Sequence, residues 1–333
     1  MHKAIPSKVW TGRKTTEPNA YWYQRVNCLS VDAPLPVLSK GEIGIVLIGY
    51  AVDEGVRLNK GRTGAAEGPS AIRAQLAKQP DHLPENVRII DMGDVHHSTS
   101  KLFDTMMTLS NVVEEAQSMG YRTIVLGGGH DVASGHYLGL HRSIRAKTAD
   151  FTLGAVNFDA HLDLRPLGEG GPNSGTPFSL IAMLNEQFKQ PFKYCCVGVQ
   201  LQGNTTSLLE RAKELGTKMI MLEEIESTSK ELENFVHELS EQSSLNESES
   251  NSHLYITVDL DAFPSYISPG VSAPGIDGLD YKQVKQQLIN LVRTNKLLGF
   301  DVAECNPGFD IDSRTAKLGA RLIVDVVSAL SKF

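Results

Sequence analysis

Eight apolar runs rich in β-branched residues punctuate the sequence, at 43–50, 87–95, 122–130, 153–161, 192–200, 218–225, 253–263 and 297–307. Most are about 15 to 25 residues apart, and the stretches between them carry helical periodicity. One such stretch opens at Pro69, a residue suited to the first helical turn, and another fills 102–119. A strand that is apolar along its whole length must be covered on both faces, and alternation with helices makes βαβ units. The pattern therefore predicts an α/β fold: a central, mostly parallel β-sheet with helices on both faces. No composition break divides the chain, so 1–333 reads as a single domain. Residues 1–40 form an N-terminal extension in this reading, and the polar stretch SEQSSLNESESNS (240–252) a surface loop.

The bulk numbers exclude several classes of function. A chain of 333 residues with 41% hydrophobic and 21% charged content describes an ordinary globular protein with ample core. The formal charge of -7 leaves no general basic face for nucleic acid, and it gives an anionic substrate no overall steering. No run reaches the length of a membrane span, and MHKAIPSKVWTGR has no apolar core of signal-peptide length. Cys195 and Cys196 are neighbours in an expected strand and point to opposite faces, so buried free thiols are predicted. A reducing, cytoplasmic setting follows as an expectation.

Three runs end in residues that bind metals: His130 in GGGHD, the alternating Asp159, His161 and Asp163 in FDAHLDLR, and Asp259 with Asp261 in VDLDAF. In an open parallel sheet, ligands collect at the carboxyl ends of the strands. Convergence of these ends would place two imidazoles and four carboxylates in one crevice. Four carboxylates so close would repel unless cations neutralised them, and two divalent ions supply the matching charge. An oxygen-rich set with two histidines suits manganese, although zinc, cobalt, nickel or iron would also bind. A regular strand would hold Asp159 and Asp163 about 13 Å apart, too wide for ions about 3.5–4 Å apart. The chain must therefore leave the strand near Ala160 and curl. Taken singly, each motif reads as a solvated edge or a flexible turn; together, at strand ends, they point to one site.

GGGHD, FDAHLD and VDLDAF, followed by DVAECNP, resemble the ureohydrolases, the family of arginase, agmatinase and formiminoglutamase. GRTGAAEGPSAIR (61–73) is similar to a motif near the start of that family's shared region, so the resemblance runs from about residue 43 to the end. It implies a single arginase-like domain and two Mn2+ ions per subunit. By motif, His130 and Asp163 would serve one ion, His161 and Asp261 the other, and Asp159 and Asp259 would bridge them. A water shared by the ions would attack the substrate, with Glu304 pairing its amidine or guanidine group and Asp261 shuttling a proton.

Arginases and agmatinases keep a histidine where PNSGTPFS (172–179) has Ser174. SGTPF is similar instead to the formiminoglutamase branch, as are SPGVSAPG (268–275), GVQLQGNT (198–205) and NPGFDIDSRTAKLGARLI (306–323). That resemblance implies hydrolysis of N-formimino-L-glutamate to L-glutamate and formamide in histidine degradation, with a small-molecule substrate and a homo-oligomer. The alternative is an agmatinase or guanidino-acid hydrolase that releases urea. A deacetylase-like enzyme would need a histidine pair that GGGHD lacks, and a non-catalytic metal binder would leave Glu304 without a role. For the two substrate carboxylates, Arg165 is either the bidentate grip or half of an ordinary salt bridge. Ser174, Gly175, Thr176 and Asn204 are candidate hydrogen-bonding partners of the glutamate end, with Arg62 and Arg314 behind them. His96 and His97 read as incidental rather than a further metal site, and His136 and His141 as surface or packing residues.

Overall fold

The apolar runs form strands because branched side chains pack well on a pleated surface. In the computed structural model, which describes residues 1–5, 7–30, 33–98, 101–242 and 251–332, they become eight of ten strands. The first two are short: β1 (His2–Lys3) and β2 (Asn27–Cys28). Then follow β3 (Ile43–Ala51), β4 (Val87–His96), β5 (Arg122–Leu126) and β6 (Thr152–Phe158). The last four are β7 (Lys193–Val199), β8 (Lys218–Met221), β9 (Ser252–Asp259) and β10 (Leu297–Ala303). Several strands stop short of the sequence runs. Those tails (GGGH, DAH, LDAF and ECNP) are glycine-rich or acidic and turn out of the sheet.

The sheet order is β1-β4-β3-β5-β10-β9-β6-β7-β8, with β2 also on β4. All pairings are parallel except β1 with β4. The mostly parallel α/β expectation therefore holds. Residues of the expected N-terminal extension join the fold, since β1 and β2 pair with β4 and Trp22 is buried. Of the expected 240–252 loop, 240–242 end the helix Thr228–Gln242 and Ser252 starts β9. Residues 243–250 lie outside the described residues.

Each face of the sheet carries its own apolar layer. Ile45, Leu47, Cys195 and Val197 point into one, packed by the helices Gly68–Leu76, Tyr281–Arg293 and Arg314–Leu330. Val46, Ile48, Cys196 and Val199 point into the other, under the helices Leu102–Ser118, Val132–Arg145 and Pro177–Phe188. Cys195 and Cys196 are buried free thiols on opposite faces, as their neighbouring positions in a strand require. His136 and His141 are buried, which corrects the surface half of their reading and leaves packing. His136 Nδ1 sits 2.7 Å from Asp301, whereas His141 lies against the rings of Phe151 and Phe188.

Candidate metal centre

The strand order brings distant parts of the chain to one crevice. β5, β10, β9 and β6 are consecutive in the sheet and all parallel, so their carboxyl ends share one edge. His130 follows β5, Asp159 follows β6, Asp259 ends β9 and Glu304 follows β10. The connection from β5 to β6 skips two strand positions, and after β8 the chain reverses across the sheet to fill them with β9 and β10, a reversal of the kind at which open α/β sheets bind ligands.

FDAHLDLR leaves the sheet one step earlier than its spacing predicts, with β6 ending at Phe158. Asp159 N still donates to Val197 O (2.9 Å), and the chain then turns until Asp163 adopts a left-handed φ of 49°. The apolar partners Ala160, Leu162 and Leu164 are buried, so they anchor the turn while the polar positions face the crevice. Asn204 fastens it: its Oδ1 accepts from Leu162 N (2.9 Å) and its Nδ2 donates to Ala160 O (2.9 Å).

The ligand-type atoms gather in two groups that share Asp159, each with its atoms within 4.8 Å of one another: His130, Asp159, Asp163 and Asp259, and Asp159, His161 and Asp261. His130 Nδ1 lies 3.2, 3.0 and 3.1 Å from oxygens of Asp159, Asp163 and Asp259. His161 Nδ1 lies 3.4 and 3.3 Å from oxygens of Asp159 and Asp261. Polar residues two positions upstream on the strands orient these ligands. Thr257 Oγ1 meets His130 Nε2 at 3.0 Å, and Asn157 Nδ2 donates to Asp159 Oδ2 at 3.0 Å. A Thr257 acceptor puts the His130 proton on Nε2 and leaves Nδ1 a lone pair toward the carboxylates. Neither orienting residue is singled out by the sequence. The period-2 rule, applied backward from Asp259 and Asp159, is the signal that finds them.

The electrostatics are those of a site built for cations. Burial and Asp259 hold Asp261 well above the carboxylate range, and burial and Asp159 push Asp163 up to about 6. Burial, with Asp259, likewise holds Glu304 high. Against the upward effect of burial, His130 and His161 draw Asp159 down. Asp261 pushes His161 up to about 12 against the opposing effect of burial. Carboxyls this close stay ionised together only when positive charge joins them. His130 Nδ1 and Asp261 Oδ1 are buried with no hydrogen-bond partner, so the donor set fits divalent ions. Nitrogen and carboxylate oxygen donors without a thiolate match manganese chemistry. Among the described residues, no metal-type group includes His96 or His97; His97 Nδ1 is taken up by Thr105 Oγ1 (2.8 Å).

A cavity of about 100 Å³ opens onto this cluster, lined by Asn59, Arg165, Ser174, Asn204, Ser272 and Glu304 among others. Glu304 has a left-handed φ of 67°. Its Oε1 accepts from His130 N (2.9 Å), while Oε2 is buried without a partner. Arg165 is exposed at the rim, and among the described residues it makes no salt bridge; its NH1 donates to Asn59 Oδ1 (2.7 Å). Ser174 lines the cavity, whereas Gly175 and Thr176 do not. Thr176 Oγ1 bonds the backbone of Asn173, and Gly175 N donates to Asn173 Oδ1. Asn204 also lines it, yet its amide is spent on backbone groups, so its hydrogen bonds hold the ligand turn instead. Arg62 donates to Val271 O and Ser272 O and stacks over Phe309. Arg314 lies 4.0 Å from Asp312.

Comparisons with known proteins agree with this geometry. The formimidoylglutamase of Legionella pneumophila (strain Lens) is 36% identical over 325 residues, covering 96% of this chain and 95% of the relative. That of Hahella chejuensis is 38% identical over 335 residues, covering 98% and 96%. A variant formiminoglutamase from Trypanosoma cruzi, solved with Mn2+, superposes with a TM-score of 0.73 at 25% identity, covering 88% of this chain and 95% of that one. Residues 43–328 match the model of the arginase family, and with His130, Asp159, His161, Asp163, Asp259 and Asp261 gathered at the strand ends, the chain belongs to that family.

Proposed function

We propose that this protein is a manganese-dependent formimidoylglutamase, which converts N-formimino-L-glutamate and water to L-glutamate and formamide. One observation carries the reading. One cavity joins a carboxylate floor, where Glu304 Oε2 has no partner, to the Arg165 guanidinium at the rim, with which no carboxylate among the described residues pairs. A substrate with a cationic amidine at one end and carboxylates at the other matches that polarity. The names of the Legionella and Hahella relatives agree with it.

In this reading His130 and Asp163 would hold one ion, His161 and Asp261 would hold a second, and Asp159 and Asp259 would contribute to both. When bound, the ions supply positive charge and a water of lowered pKa. Glu304 Oε2 receives the amidine N–H groups and turns the sp² carbon toward the cluster. Arg165 and the Ser174 hydroxyl hold substrate carboxylate, which fixes the far end. Water oxygen bonds to the formimino carbon, the bond from that carbon to the glutamate nitrogen breaks, and Asp261 passes the proton that the departing amine needs. The protein acts as a cytoplasmic homo-oligomer; its four free cysteines fit a reducing compartment, and sedimentation tests the oligomer. No helix among the described residues is long and apolar enough to cross a membrane.

The test is turnover of formiminoglutamate, arginine and agmatine by the manganese-loaded protein, with formamide and urea measured separately. Formamide from formiminoglutamate supports the reading, and urea from agmatine alone sinks it. Metal content of two equivalents per subunit, read by atomic absorption, tests the ligand assignment.

A further inference from the structure

We propose that Asn59 is the residue that keeps the rim of this cavity selective for an anion, by holding Arg165 without neutralising it and by turning the Ser174 hydroxyl toward the ligand. The inference rests on the reading of Arg165 and Ser174 as carboxylate partners and deepens it. Asn59 caps the short helix Glu54–Leu58, and its backbone N donates to Gly55 O (3.0 Å). Ser174 N donates to that same carbonyl (3.1 Å), and Arg165 N donates to Gly175 O (3.0 Å). Two segments far apart in sequence, 54–59 and 165–175, are thereby locked around one side-chain amide.

The polarity of that amide decides what the rim can bind. Its Oδ1 accepts from Arg165 NH1 (2.7 Å), and its Nδ2 donates to Ser174 Oγ (3.1 Å). A neutral acceptor fixes the guanidinium in place and leaves its full positive charge. Ser174 Oγ accepts a hydrogen bond from Asn59 Nδ2, so its own O–H donates elsewhere, and the cavity it lines is the open direction. A carboxylate at position 59 would reverse both effects. It would pair with Arg165 and take the Ser174 hydroxyl proton for itself.

Asn59→Asp is nearly isosteric, which separates this role from simple support of the loop. Loss of support orders the variants one way: Asn59→Ala, which deletes both hydrogen bonds, should be worse than Asn59→Asp, which keeps both contacts, that to Arg165 as an ion pair and that to Ser174 with its direction reversed. Anion selection orders them the other way. Asn59→Asp should raise KM for formiminoglutamate about tenfold or more while kcat falls less than about threefold, with Asn59→Ala milder. Binding of the product L-glutamate, measured by calorimetry on the manganese-loaded protein, should weaken in the same order. The inference is overturned if Asn59→Asp binds L-glutamate as the parent does while Arg165→Met weakens it tenfold, or if Asn59→Ala is the worse variant. If Arg165→Met also leaves L-glutamate binding and KM unchanged, the carboxylate role of Arg165 is what failed. A parent protein that neither turns over formiminoglutamate nor binds L-glutamate overturns the substrate reading and this inference together.

Discussion

Two buried histidines face aspartates in this protein, and they do so in opposite ways. His136 Nδ1 lies 2.7 Å from Asp301 Oδ2, which also accepts from Tyr255 OH (2.7 Å), and its Nε2 meets Thr123 Oγ1 (2.8 Å). Both ring nitrogens are satisfied and one imidazole answers one carboxylate, with only Asp301 Oδ1 left buried without a partner. His130 Nδ1 faces three carboxylates at 3.0–3.2 Å with no aligned hydrogen bond, and anions outnumber imidazoles in its surroundings. The residue types are the same; the balance of charge and the direction of the lone pairs separate a pair that closes on itself from one that needs a cation.

The sharpest way to break this contrast is to remove one aspartate from each. Asp159→Asn should lower kcat/KM about 10⁴-fold, about 5 kcal/mol of transition-state stabilisation, and should lose manganese by atomic absorption while the fold persists by circular dichroism. Asp301→Asn should do the reverse: it leaves buried His136 unpaired and costs about 3–5 kcal/mol in urea unfolding, with manganese content kept in the folded fraction. Equal effects of both variants on metal content would erase the distinction.

Chelation comes next in size. Metal stabilises only the state that binds it, so dialysis against EDTA should remove about 3 kcal/mol from the parent if the free ion stood near 100 times its Kd. The same treatment should leave Asp159→Asn almost unchanged in thermal unfolding.

A third buried histidine sharpens the contrast from the other side. His141 has neither ring nitrogen bonded, and burial followed by Arg145 pulls it down to about 4. Its folded pKa is depressed, so its contribution is present above pH 6.5 and is lost as pH falls toward 4. The unfolded chain binds the extra proton in that window. His141→Phe should flatten the fall in stability between those pH values by about 2 kcal/mol, read from urea midpoints. A parallel fall in both proteins would show that other groups set the acid limb.

Much of the centre was legible because it is written at strand ends. The runs predict strands, their carboxyl ends carry His130, Asp159 and Asp259, and parallel order brings such ends to one edge. What stayed hidden lies in contacts that spacing cannot express. Asn59 is 106 residues from Arg165 and 115 from Ser174, and only the folded loops bring them together. Asn204 sits in a stretch that resembles a substrate segment, yet its amide bonds are satisfied by the turn it holds. His141 is on a helix whose surroundings on all sides are decided by the packing of Phe151 and Phe188. The 13 Å estimate did foresee that FDAHLDLR must curl, because strand rise is a fixed length.

The sheet order also has a consequence for how the chain is made. β9 and β10 follow the other described strands of this sheet in the sequence yet occupy its middle, while β5 and β6, made earlier, flank them. A growing chain therefore cannot complete this sheet from one edge outward; its two halves stay open to each other until Ser252–Asp259 and Leu297–Ala303 emerge and fill the gap. The same late strands bring Asp259, Asp261 and Glu304, so under the proposed function metal capture would report that these strands have been seated.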